Sequence, residues 1–125
     1  FLRKCKKIYK KYLKEFKSFN SKLIVPKYSK NIKPSYHLFL INMAFNKLKK
    51  SKDHFMRYLI NNNIMAQQHY IPIYKFSIYN KKSISFPGSE KYFNNSISIP
   101  IFVELSDKNQ NQIIKIIKNY IKDKN

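Results

Sequence analysis

Asn61-Asn62-Asn63-Ile64-Met65-Ala66-Gln67-Gln68-His69-Tyr70-Ile71-Pro72 is the stretch from which the fold is read. A helical pattern runs into it, and three asparagines stop that pattern, because asparagine tolerates the left-handed backbone that glycine usually supplies past a helix end. Residues 64–70 then alternate loosely between polar and apolar and read as a returning strand. Pro72 ends it, since proline has no N–H for a ladder. The same stretch presents His69 and Tyr70, and no other segment is shaped so much like a site. A lone His-Tyr pair is weak evidence, because a histidine at such a place is more often a hydrogen-bonded core residue.

Upstream, Leu2, Cys5, Ile8, Tyr9, Tyr12, Leu13, Phe16 and Phe19 recur at i, i+3, i+4 and i+7 with lysines opposite, which predicts an amphipathic helix over 2–19. Asn20-Ser21 ends it, and residues 22–34, with Pro26 and Pro34, read as an extended connection. Residues 35–42 are aromatic and branched, bounded by Pro34, and apolar on both faces from Leu38 to Ile41; this predicts a central strand. Ser51 or Asp53 caps a second helix to about Asn62, burying Phe55 and Leu59, with Met56 and Ile60 widening the stripe.

Downstream, residues 73–86 lack a clear period and read as an irregular loop with one helical turn. A short helix begins near Ser89 and packs Tyr92 and Phe93. Ser96-Ile97-Ser98-Ile99 alternates as a strand closed by Pro100. Ser106 or Asp107 caps a last helix with a stripe of Ile113, Ile116, Ile117, Tyr120 and Ile121, and Lys118, Lys122 and Lys124 sit near its negative end. The sum is an α+β fold: a small three-stranded sheet with helices covering one face, the other left for something else.

The 125 residues suffice for one domain that buries roughly two thirds of its unfolded surface. No run of about 18 apolar residues predicts a membrane span. The chain opens on Phe1 in what reads as mid-helix, so it is expected to be a fragment of a longer chain, 1–125 forming one C-terminal domain with a leading helix over 1–20 and sheet and helices over 35–125. The single Cys5 cannot pair within the chain; it is expected to pack as a small hydrophobe in a reducing, cytoplasmic setting. The net charge of +20 would favour nucleic acid, yet Arg3 and Arg57 are the only arginines, and lysines spread along the whole chain. A solvated lysine surface is the plainer reading, with a stand-alone basic module for nucleic acid or anions as the alternative.

Catalytic and metal chemistry find little footing. His37, His54 and His69 lack companion ligands at useful spacing. Of the 6 acids, Asp53, Glu90, Asp107 and Asp123 suit caps or solvated faces, and Glu15 and Glu104 have no acid-base partner. Gly88, the 1 glycine, cannot make a phosphate cradle.

A set of ordered matches nevertheless points one way. The opening helix with Tyr12 and Leu13, Ser35-Tyr36-His37-Leu38, Gln68-His69-Tyr70-Ile71-Pro72, Phe86-Pro87 with Glu90, Ser96 through Phe102, and Leu105-Ser106-Asp107 together resemble the C-terminal domain of DegT-type nucleotide-sugar aminotransferases, from about Arg3 to Lys122. The resemblance implies the small domain of a fold-type I enzyme that uses pyridoxal phosphate held by a large domain absent here. It also implies an amino-acid donor such as glutamate, a keto-sugar nucleotide acceptor and a homodimer. Within it, His69 and Tyr70 become substrate-side contacts on a wall of the site, and no catalytic residue is carried over. Two positions depart from the family pattern: Asn63 stands where glycine is usual, and Tyr74 where histidine is frequent.

Overall fold

A computed structural model describes residues 1–19, 21–79 and 85–123. Helix α1 (Leu2–Phe16) leads through a 3-10 turn at Lys17–Phe19 into the two-residue strand β1 (Leu23–Ile24). Strand β2 (Phe39–Met43), a short helix α2 (Phe45–Leu48) and helix α3 (Lys52–Asn61) follow. Helix α4 (Pro87–Asn95) runs directly into β3 (Ser96–Ile99), and α5 (Asp107–Lys122) is the last helix. The three strands form one antiparallel sheet in the order β1-β2-β3.

Register divides the sheet into two chemistries. Phe39 faces Ile99 and Ile41 faces Ile97 across the β2–β3 ladder, while Leu40 faces Ser98 and Asn42 faces Ser96. Side chains alternate along a strand, so Phe39, Ile41, Ile97 and Ile99 share one face, all buried, and the serines share the other. On the apolar side α1 supplies Ile8, Tyr9, Tyr12 and Phe16, α3 supplies Phe55 and Leu59, and α5 supplies Ile113, Ile114, Ile117, Tyr120 and Ile121 to one cluster. The Tyr9 and Tyr12 rings each lie 4.8 Å from that of Phe39. Burying each such side chain contributes about 1.5–3 kcal/mol, whereas an exposed pair such as Lys11–Asp107 at 3.3 Å contributes roughly 0–1. Packing therefore holds this fold together.

Polar groups inside the core are satisfied. Buried Gln110 donates from Nε2 to the Ile8 carbonyl at 2.8 Å, joining α5 to α1. The Tyr12 hydroxyl donates to the Pro100 carbonyl at 2.9 Å, and burial raises its pKa. Glu15 and Lys118 close the same helix pair at 2.6 Å. Lys50 docks on the C-terminal end of α5, donating to the carbonyls of Tyr120 at 3.4 Å and Asp123 at 3.3 Å, where the helix dipole favours a cation.

The asparagine stop has a defined geometry. Asn63 takes φ 58°, Ile64 N–H reaches the Leu59 carbonyl at 2.9 Å, and Asn63 N–H reaches that of Ile60 at 2.9 Å. These two bonds are the pair of a Schellman motif, and Ile64 and Leu59 join the core cluster as its usual apolar companions. At the other end of α3, Ser51 rather than Asp53 is the cap, accepting from the His54 N–H at 3.1 Å. Ser106, not Asp107, caps α5 in the same way.

Several expectations are corrected. Residues 64–70 do not form a strand; they keep one bridge, Gln67 to Ser98, because Ile64 is tied back to Leu59 and the polar-apolar alternation offers no continuous apolar face. The third strand is Leu23–Ile24, inside the supposed connection, too short to show a period. The central strand begins at Phe39 rather than residue 35, since Tyr36 sits at φ 56° and breaks the extended run. Helix α2 was not expected, and it ends on Lys49 at φ 53°. Ile60 is exposed rather than part of the buried stripe, and so is Tyr92. Residues 73–79 form two 3-10 turns, Ile73–Lys75 and Ser77–Tyr79, instead of one helical turn. Asn20 and Lys124 lie outside the described residues.

The left-handed position makes a stability test. Asn63→Ala should lower the free energy of unfolding by about 1 kcal/mol, the cost of that backbone for a residue with an unhelpful side chain, while Asn63→Gly should keep or raise it. Chemical denaturation of the three proteins checks this; equal midpoints for Ala and Gly would contradict it.

Candidate functional site

The His69 stretch lies against the edge strand β3, with the His69 side chain reaching the serine side of the sheet. Gln67 and Ser98 exchange backbone bonds at 3.0 and 2.8 Å, which lays residues 67–69 along β3. The Ser98 hydroxyl lies 2.8 Å from His69 Nε2 and 3.3 Å from the Gln67 carbonyl, so it joins the imidazole to the backbone of the same stretch, with the donor at the imidazole set by its tautomer. His69 Nδ1 is buried with no hydrogen-bond partner among the described residues. The His69 and Tyr70 rings meet edge to face at 4.8 Å, and the peptide bond between them is cis. Gln68 Nε2 donates to the Phe93 carbonyl at 3.1 Å, tying the stretch to α4. His69 is thus held and half-buried, while Tyr70 is 76% exposed.

Beyond Pro72 the chain forms an arm pinned at one carboxylate. The Tyr74 hydroxyl donates to Glu90 Oε1 at 2.7 Å, and Lys75 Nζ lies 2.9 Å from Oε2. Those contacts, the Tyr74 hydrogen bond first and then Lys75, hold the Glu90 pKa below its ordinary value. The Tyr74 ring also packs on Phe86 at 4.8 Å, and Lys75 sits over the Phe93 ring at 4.6 Å. From this pin, Ile71, Ile73, Phe76, Ile78 and Tyr79 project into solvent, Ile78 with 81% of its surface exposed. Sequence reasoning missed this arm. Its signal was present in the aperiodic run of large apolar residues, which has no helix or strand face on which to be buried.

An open groove of about 630 Å³ runs beside the site, sharing Gln67 and Ser98 with it and lined further by His37, Asn63, Phe102 and Asn109. Its polar lining is amide, hydroxyl and imidazole with no carboxylate or lysine, suited to hydroxyl-bearing ligands. His37 lies on its wall, exposed, with Nδ1 hydrogen-bonded to the Ser35 hydroxyl. His54 belongs elsewhere: its Nδ1 lies 2.8 Å from the Tyr120 hydroxyl, whose pKa is pushed up to about 12 by burial and by Tyr58 and Asp123. The three histidines are separate, and no group of three His, Cys, Asp or Glu able to hold a metal occurs among the described residues.

Lys52 is the described lysine with the most altered chemistry. Burial lowers its pKa to about 8. It donates to the Phe93 carbonyl and lies 5.1 Å from the Phe93 ring, as a clamp on the end of α4. These partners, the Phe93 carbonyl and ring, give it a structural task.

Comparison with known proteins gives a family and a shared fold. The model of the DegT/DnrJ/EryC1/StrS aminotransferase family matches residues 1–118. The spore coat polysaccharide biosynthesis protein SpsC of Bacillus subtilis is 23% identical over 105 residues, covering 80% of this chain and 27% of that protein. An uncharacterized protein of Methanocaldococcus jannaschii is 28% identical over 120 residues, covering 93% of this chain and 31% of its own length. Among solved structures, Helicobacter pylori PseC, an aminotransferase of pseudoaminic acid biosynthesis, superposes with a TM-score of 0.84 at 23% identity over 96% of this chain and 32% of its own. The aminotransferase TlmJ of Streptoalloteichus hindustanus gives 0.84 at 21% identity, over 97% and 32%. The chain thus spans about a third or less of the relatives it matches, and the shared fold is that of a small three-stranded sheet with helices.

Acid should release the arm. Glu90's folded pKa is depressed, so its contribution is present above the ordinary carboxylate value and is lost as pH falls through the lower folded one. Limited proteolysis across that range should show cleavage near Tyr74 rising on acidification, and Glu90→Gln should give the released pattern already at neutral pH. Unchanged cleavage in the variant would show that the carboxylate does not hold the arm.

Proposed function

Because the chain belongs to the DegT/DnrJ/EryC1/StrS aminotransferase family, we propose that it is the small-domain part of a pyridoxal-phosphate enzyme that moves an amino group from an amino acid, glutamate, to a keto-sugar nucleotide. The observation that carries this reading is the match over 1–118. In this reading the cofactor is held by the region that the relatives have beyond the length of this chain, and the chain alone is inactive. The acceptor we favour is the one whose product is a UDP-4-amino-4,6-dideoxy sugar on the route to pseudaminic acid, a choice supported by the likeness to PseC.

The chain's own residues would form a wall. Tyr70 would touch the substrate, by stacking or through its hydroxyl, a role its exposed ring supports. His69 stands on the same side and positions Tyr70 by the edge-to-face contact, its own orientation set by Ser98. The apolar arm of Ile71, Ile73, Phe76 and Ile78 supports the rest of the assembly, a larger domain and a homodimeric partner, since exposed apolar surface of this kind marks an interaction surface.

Two measurements test the reading. The encoding frame upstream of Phe1 should continue into a large α/β region with a cofactor lysine; a start codon directly before Phe1 would overturn it. In the longer protein, Tyr70→Ala should cut kcat/KM for the keto-sugar nucleotide by about tenfold or more while the half-reaction with glutamate is unchanged. Equal loss in both half-reactions would remove Tyr70 from the substrate side.

A further inference from the structure

A second groove, of about 440 Å³, lies on the far side of α1, between that helix and residues 26–36. Its lining includes exposed Tyr28, half-buried Tyr36 and the buried Tyr9 behind them, with Leu13 and Ile32 beside and Lys10, Lys27 and Lys30 among them. Tyr9 meets Tyr36 edge to face at 5.2 Å and lies 6.3 Å from Tyr28, so the rings form a contiguous surface. Tyr28 is 47% exposed. No carboxylate lines the groove, and none of these three lysines makes an ion pair among the described residues.

The helix extends the charge past the groove. Lys6, Lys10, Leu13 and Lys17 recur at i, i+4, i+7 and i+11 and share one face, the three lysines all exposed. The cations therefore form a track along α1, with an aromatic patch beside its middle. An ammonium track alone takes any polyanion; exposed rings add a preference for a ligand with flat faces to stack. Lysine point charges, rather than bidentate arginines, suit backbone contact without base reading.

We propose that this groove binds single-stranded nucleic acid without sequence preference, with phosphates on Lys10, Lys27 and Lys30 and a base on Tyr28. The function is independent of amino transfer.

The test is fluorescence anisotropy of the 125-residue chain with a labelled 12-nucleotide oligo-uridine, and in parallel with inorganic polyphosphate of matching charge as competitor. Binding should weaken with salt along a slope of about −2 in log-log form, the value for three lysine contacts to a single strand. Tyr28→Ala, at an exposed ring, should weaken oligonucleotide binding roughly fivefold or more and leave competition by polyphosphate per bound site unchanged. Lys10→Gln with Lys27→Gln and Lys30→Gln should weaken both by more than the loss of three lysines elsewhere on the surface, for which Lys91→Gln, Lys108→Gln and Lys115→Gln serve as control. Circular dichroism and the thermal midpoint confirm that each variant is folded. Polyphosphate binding as tightly as oligo-uridine with no effect of Tyr28→Ala, or equal losses in the two lysine triples, would overturn the proposal in favour of diffuse charge attraction. Absence of binding at low salt would overturn it outright.

Discussion

The pairing of β2 with β3 is the constraint on which everything else in the molecule rests. With Phe39 opposite Ile99 and Ile41 opposite Ile97, the apolar residues of both strands fall on one face and the serines on the other. A slip of one residue would turn Ser96 and Ser98 into the apolar cluster and set the isoleucines among Asn42 and His69, so the chemistry of the two buried faces enforces the register. That single choice produces both the platform for α1, α3 and α5 and the polar shelf for His69. Core and candidate site are two sides of one ladder.

The helices were legible because their information is local. Periodic apolar positions marked α1, α3 and α5, and Ser51, Ser106 and Asn63 marked their ends by hydrogen bonds that reach only a few residues away. The strands were legible only where they are long enough to show a pattern. Leu23–Ile24 has one buried side chain, Leu23, and its pairing with Met43 is a tertiary fact that no two-residue stretch can announce. Residues 64–70 failed in the opposite sense. Their loose alternation is real, yet the backbone bonds at Asn63 and Ile64 are already committed to α3, and only Gln67 is left to meet β3.

The site was legible in identity more than in arrangement. His69 and Tyr70 stand together as the sequence suggested, but their partners, Ser98 and the Phe93 carbonyl reached by Gln68, come from positions some thirty residues on. The pin at Glu90 was likewise invisible. Glu90 reads from sequence as an acid in the first turn of a helix, where the dipole alone explains it. Only the folded chain brings Tyr74 and Lys75 to it, and at that point a tyrosine where the family often has histidine acquires a structural task.

The arm and the core differ in the way their apolar residues are used, and the difference argues for what the arm is. Ile97 and Ile117 are fully buried because each lies on a face with a period, so one rotation of the element hides the whole set. Ile73 and Ile78 sit on 3-10 turns that bury no residue of their own, and Ile71 and Phe76 flank those turns, exposed as well. Covering such side chains would gain about 1.5–3 kcal/mol each, a gain the arm leaves unused. The polar pin at Glu90 sets where the arm stands and so holds its apolar residues together at one place on the surface.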